Sequence, residues 1–309
     1  VALIGAQAEA QSFLRTTVEG QPDLPLFWTT RCMEYRVGIQ GSPTTPGRTE
    51  DAAIDAAVAS WQHAANSCGN GWQFVRGAPV PVAEYHLGPV KGTPPQVQIL
   101  FRELSCEDVV PDGDDCEADP RTAHTLCANK YQCMFGDDPT VIGLTTVTYS
   151  PKTGEIIDAD IELNAAPVYK LNLPGKLFTA VDGPKCTGAE PVPGTCVEYD
   201  IQNTLTHELG HALGFDHVMN PASTMFASAD IGEVSKRIID SGTLRGFCTV
   251  YGKMKDGECV ASSEQPLQPP APVTGGCSAA PPSPLLLALL MGPLARRRRR
   301  PGDSVVQTP

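Results

Sequence analysis

Eleven consecutive residues constrain this chain more than any other stretch: His207-Glu208-Leu209-Gly210-His211-Ala212-Leu213-Gly214-Phe215-Asp216-His217. At about 100° per residue on an α-helix, His207 and His211 lie one turn apart on nearly the same face. Ile201, Leu205, Leu209, Ala212 and Leu213 fall on the opposite side, an apolar stripe that must face a core. The histidines are therefore expected to look into a cleft while the back of the helix is buried, with Glu208 to one side of them. Gly214 suits the left-handed backbone that stops a helix. The turn it makes would bring His217 back towards the two helical histidines. Three of the chain's six histidines fall in this window, which is hard to reconcile with a solvated helix that carries histidines by accident.

The residue types point to a chemistry. Three neutral imidazoles are a sufficient protein ligand set for a hydrolytic zinc ion, because they leave a fourth position for water. A carboxylate beside them can take a proton from that water. His207, His211 and His217 are thus the predicted ligands of one catalytic Zn²⁺, and Glu208 is the predicted general base. The competing reading is a non-catalytic binding or adhesion module at the cell surface. Glu208 argues against it, since a purely structural zinc prefers four protein ligands and has no use for a carboxylate at that position. A zinc hydrolase acting on a non-peptide bond is compatible with the same eleven residues.

The pattern resembles that of the metzincin metalloproteases, and in particular their matrixin-like branch. Ser223-Thr224-Met225-Phe226 is similar to the methionine turn of that branch, which implies that Met225 forms a hydrophobic floor under the metal. Val141 to Val147 resembles the strand bordering the matrixin cleft, so Gly143, Leu144, Thr145 and Thr146 would lie along the substrate-binding edge. Gly154 to Asn164 resembles the strand that follows, and Gly246 to Gly252 the end of the last helix. The resemblance implies an α+β domain, a twisted mixed sheet packed on helices with the cleft below the edge strand. It further implies a zinc-dependent endopeptidase whose protein or peptide substrate pairs with that edge by strand addition. The resemblance departs at one point: no cysteine-switch motif precedes Leu26, and Cys32 lacks that motif's surroundings.

Periodicity organises the rest. Phe27-Trp28, Tyr35 to Ile39, Trp72 to Val75 and Val97 to Phe101 read as strands, and Gly41 to Gly47 as a loop. Thr49 to Asn66 is alanine-rich with Ile54, Ala57, Val58 and Trp61 at helical spacing, and a last helix is expected within Asp240 to Tyr251. Residues 11–260 are read as one catalytic domain. Within it, residues 105–138 are rich in Cys and Asp with little periodicity, which predicts a disulfide-stapled surface insertion. Asp108, Asp112, Asp114 and Asp115 there offer oxygen ligands for a structural Ca²⁺, but the EF-hand spacing is absent, which favours a solvated acidic loop.

Eleven cysteines suit an oxidising, extracellular compartment better than a reducing cytosol. Short separations suggest the pairs Cys106–Cys116, Cys127–Cys133, Cys186–Cys196 and Cys248–Cys259, which leaves Cys32 with Cys68. Residues 1–10 read as the end of a signal peptide or as an ordinary N-terminal segment. Residues 261–284 form a Pro-rich linker. Residues 285–300, an apolar run followed by Arg296 to Arg300, resemble with Gly275-Gly276-Cys277 the sorting tail of myxobacterial surface proteins; a plain membrane anchor is the alternative. Either tail predicts an exported or surface-attached protein whose only membrane contact is that tail. The net charge of −12 at pH 7 includes those five arginines, so the rest is more acidic still. That balance argues against a nucleic-acid partner and fits a soluble monomer.

Overall fold

The computed structural model describes residues 13–91, 95–134, 140–167, 175–187, 194–252 and 304–308. The expectations for residues 1–10, 261–284 and 285–300, and for Cys259, lie outside these. Three short strands, β1 (Leu14–Arg15), β2 (Thr17–Val18) and β3 (Gln21–Pro25), lead into β4 (Cys32–Val37) and helix α1 (Glu50–Cys68). Strands β5 (Gln73–Arg76) and β6 (Gln96–Arg102) follow, then α2 (Cys106–Val109) and α3 (Pro120–Tyr131). Next come β7 (Gly143–Tyr149), β8 (Ile156–Asn164), β9 (Phe178–Thr179) and β10 (Tyr199–Asp200). The chain continues through α4 (Ile201–Ala212), β11 (Phe215–Asp216), α5 (Ser241–Tyr251) and β12 (Ser304–Thr308).

The helices form where composition and caps agree. In α1 the residues Ile54, Ala57, Val58, Trp61, Ala64 and Ala65 recur every three or four positions and are buried, and Gly69 ends the helix at φ +61°. Asp200 caps α4 by accepting from the Asn203 N–H at 2.7 Å. Asp240 does the same for α5 through Gly242 and Thr243.

The main sheet runs β12-β7-β8-β6-β4-β5. Strands β5, β4, β6 and β8 are mutually parallel, whereas β7 is antiparallel to both β8 and β12. One face carries Met33, Val37, Val97, Ile99, Phe101, Val147, Ala159, Ile161 and Leu163 into the apolar core, where α1, α4 and α5 supply Trp61, Leu205, Leu209 and Phe247. This is an α+β fold with a mixed sheet and helices packed against it, as expected.

Four expectations need correction. β12 pairs with β7 along Thr145 to Tyr149, so Thr145 and Thr146 do not lie on the sheet edge, whereas its register stops short of Gly143 and Leu144. Helix α4 is not one-sided: Asn203, Thr204, Thr206, His207, Glu208 and His211 are buried along with the apolar stripe, because it is packed between α1 and strands β7 and β8. The Cys-rich segment contains a 12-residue helix, α3. That helix docks onto the sheet through His124, whose Nε2–H donates to Glu162 on β8 at 3.0 Å.

The disulfides form the fourth correction. Cys186–Cys196 pairs as expected, but Cys106 joins Cys133, Cys116 joins Cys127, and Cys68 joins Cys248. Nesting of α2 against α3 and a bridge between Ser105 and Met134 cross the first two pairs. Packing of α1 on α5 brings together two cysteines 180 residues apart, which rules by proximity in sequence cannot find. The disulfides among the described residues suit an oxidising compartment. No helix among the described residues is long and apolar enough to cross a membrane.

Candidate metal centre

Helix α4 projects His207 and His211, and the Gly214 turn returns His217. Gly214 has φ +79°, and a Cβ there would meet the Leu26 carbonyl oxygen at 2.6 Å, so the position requires glycine on both counts. The C-terminal carbonyls of α4 do not end in vacuum. Trp28 Nε1–H donates to Ala212 O at 2.7 Å, the Tyr251 hydroxyl to Leu213 O at 2.8 Å, and Arg15 Nε–H to Gly214 O at 2.7 Å. These contacts fix the end of the helix, and with it the histidines.

The three Nε2 atoms form a nearly equilateral triangle: 3.1 Å between His207 and His211, 3.0 Å between His211 and His217, and 3.2 Å between His207 and His217. His207 Nδ1 lies 2.7 Å from Thr224 O and His211 Nδ1 2.9 Å from Phe215 O. A carbonyl can only accept, so both Nδ1 atoms carry the proton and both Nε2 atoms present a bare lone pair. Burial lowers His207 to about 3 and His211 well below the usual imidazole value, the latter helped by its two neighbouring rings; burial lowers His217 as well. All three are therefore neutral at pH 7. Lone pairs converging at this distance repel one another unless a cation lies between them.

The donor set fits such an ion. Ligand nitrogens about 2.0–2.1 Å from a tetrahedral zinc lie about 3.3 Å apart, close to the spacing found here. Among the described residues these three form the cluster of His, Cys, Asp and Glu groups able to hold a metal ion. The acidic segment does not gather in this way: Lys130 Nζ spans Asp114 at 2.8 Å and Asp115 at 2.7 Å, and the Tyr131 hydroxyl also donates to Asp114. Of the four aspartates offered as Ca²⁺ ligands, Asp114 and Asp115 are thus bridged by a lysine.

Glu208 is buried beside the histidines. Thr145 on β7 donates its hydroxyl to Glu208 Oε2 at 2.6 Å, which leaves the other carboxylate oxygen to the cleft. Burial pushes Glu208 up to about 8, with the Thr145 hydrogen bond opposing the shift. Gly143 is glycine because a Cβ there would meet Glu208 Oε1 at 2.5 Å. A cleft of about 400 Å³ opens over this group, lined by Val141 to Gly143, Asn203, Thr204, His207, Glu208, His217 and Phe226 to Ala229. His211, 1% exposed, is not part of that lining and meets the two cleft histidines through its Nε2.

Met225 is also 1% exposed and packs against the helix at Gly210, where any side chain would collide with its sulfur. Its turn is clamped by Asp240, which accepts from Ser223 Oγ at 2.9 Å and from the Thr224 N–H at 2.8 Å. Asp240 thereby places the Thr224 carbonyl that orients His207. Spacing within the eleven residues reveals neither Asp240 nor Thr145, nor the reason for Gly210. Gly143 and Thr145 share the core-side face of β7, and Leu144 and Thr146 alternate onto the opposite face.

No protein-family model matches this chain, and no curated protein matches it.

Proposed function

We propose that the chain is a zinc-dependent endopeptidase of the metzincin type, exported and acting on protein or peptide substrates outside the cytoplasm. The observation that carries this reading is the triangle of three Nε2 atoms no more than 3.2 Å apart, with Glu208 in the same cleft. His207, His211 and His217 would hold the zinc ion. When bound, the ion supplies Lewis acidity, lowering the pKa of water to about 7 and polarising a carbonyl.

The remaining work falls to the chain's own residues. Positive charge beside Glu208 favours its ionised form. The oxygen not held by Thr145 can then accept the proton of the attacking water and deliver it to the leaving amide nitrogen. Thr145 fixes the carboxylate's orientation, and Met225 and Gly210 fix the helix that carries it. A peptide substrate is supported by the sheet: the outer edge of β7 already accepts an antiparallel strand, Ser304–Thr308, in register with Tyr149 to Thr145. A substrate strand would take the same hydrogen bonds in place of β12.

The test is digestion of a denatured generic protein by the purified chain. Cleavage should stop with a zinc chelator and return with zinc, and Glu208→Ala should lose it while keeping one zinc per chain. Proteolysis retained by Glu208→Ala would refute the assignment.

A further inference from the structure

The outer edge of β7 is taken by a strand from a distant part of the chain. β12 runs antiparallel to it, with Ser304 opposite Tyr149, Val306 opposite Val147 and Thr308 opposite Thr145. The pairing therefore runs towards the metal centre and halts at Thr145, the residue whose hydroxyl holds Glu208. Leu144 and Gly143 lie beyond that register, and Gly143 lines the cleft with His207 and Glu208. On its other edge β7 pairs with β8 from Gly143 to Tyr149.

This polarity decides what β12 covers. A peptide that took its place in the same sense would enter beside Tyr149, pass Thr145 and reach Glu208 and the imidazoles at Gly143. Its residues preceding the scissile bond would lie along Thr145 to Tyr149, and those following it would lie in the cleft. β12 thus holds the first half of a substrate's seat and leaves the second half open. Its sequence suits that position: Val305, Val306 and Thr308 are β-branched, which favours a strand, and none of its five residues is charged. Among the described residues it pairs with β7 alone. A two-stranded pairing is marginal by itself, so the strand can be exchanged.

We propose that Ser304–Thr308 is a built-in competitor of substrate: it occupies the seat of the residues preceding the scissile bond, so the chain restrains its own cleavage until β12 is displaced. The inference rests on the endopeptidase reading. As part of the same chain, β12 competes as though present at up to about millimolar concentration, so a dilute substrate meets an occupied seat. A chain cut between Gly252 and Ser304 loses that advantage, and its seat opens. The plainer role for β12 is to cover an edge that would otherwise pair with other molecules. That role predicts no effect on substrate affinity.

The experiment compares the full chain with its variant Val306→Pro/Gln307→Pro. N–H groups of neighbouring residues in an antiparallel strand alternate between the partner and the far side, so the two prolines together remove a ladder donor. Zinc content should not change. Hydrogen exchange of the outward amides within Thr145–Tyr149 should be about tenfold faster in the variant, as for a native seat free about one time in ten. For a peptide with several residues before the scissile bond, KM should fall by the same factor with kcat unchanged. A peptide truncated close before that bond should be cleaved equally by both chains. A capped, fluorescent peptide of the Ser304–Thr308 sequence should bind the variant about tenfold more tightly. Faster amide exchange with unchanged KM, or equal exchange in both chains, would overturn the proposal. Absence of cleavage by either chain would instead sink the endopeptidase reading, and tighter peptide binding by the variant would still show that β12 fills the seat.

Discussion

Two buried polar clusters flank the same pair of strands, and they handle charge differently. On the inner side of β7, three imidazoles and Glu208 are oriented one by one: Thr224 O, Phe215 O and the Thr145 hydroxyl each hold a named atom. On the outer side, the row Asp158-Asp160-Glu162 is answered at one end only, by Arg102 and His124. The imidazoles reach neutrality by losing protons, and this leaves their lone pairs for a metal. The carboxylates reach it by an ion pair at Glu162 and, at the aspartates, by keeping a proton. Burial thus strips protons from one cluster and holds them on the other within a single sheet.

The largest expected effect breaks the inner cluster. His211→Ala removes the most buried vertex of the triangle, so the chain should lose zinc and its cleavage should fall to background. Metal analysis of the purified variant checks this; full zinc occupancy would contradict the ligand role.

Next comes Glu162→Gln. Arg102, 1% exposed, would keep its charge in a dry site without a counter-charge, at a cost of about 3–5 kcal/mol. Urea unfolding reads it directly. Burial opposes ionisation of Glu162, but Arg102 and His124 outweigh it and hold the group below the usual carboxylate range. Its contribution is therefore present above the ordinary glutamate pKa and is lost as pH falls through the lower folded value. A cost below about 1 kcal/mol would mean that water already screens the pair.

The two clusters also differ in how far sequence reveals them. The inner one was legible because a helix and one glycine turn convert spacing into geometry: His207, His211, Gly214 and His217 follow from about 3.6 residues per turn. The outer one joins β6, β7 and β8, which lie far apart in the chain, and exists only once strand register is set. Alternation in Ile156 to Asn164 even points the wrong way, since a strand with acids at every second position reads as half exposed. The helix that covers those acids, α3, lay in the segment expected to be a surface excursion. The crossed disulfides and the Asp240 clamp were hidden for the same reason: tertiary packing, not local period, joins their partners. Alanine-rich α1 and the capped α4 and α5 were readable because their signals are local.

A smaller effect sharpens the inner side. Thr145→Val keeps volume but deletes the hydroxyl that holds Glu208 Oε2, so peptide turnover should fall about tenfold, the worth of one hydrogen bond to a charged group. Zinc content should stay at one per chain. A parallel loss of zinc would instead make Thr145 a prop for the whole helix.

The smallest expected effect tests the outer side through pH. Burial raises Asp158 to about 7, and burial with the neighbouring charge raises Asp160 as well. Facing them are Thr146, Thr148, Gln98 and the Gly88 N–H, none of which brings a positive charge. In the unfolded chain both ionise near the usual value of about 3.9. Between that value and the raised folded ones, the native state binds more protons than the unfolded state, so stability falls as pH rises. The fall should run from about pH 4 to about pH 7, where folded Asp158 gives up its proton, and urea unfolding across that range reads it. Asp158→Asn/Asp160→Asn should show no such slope. Glu162, two residues along the same strand, contributes the opposite sign, so the native profile should pass through a maximum that the double variant shifts to higher pH.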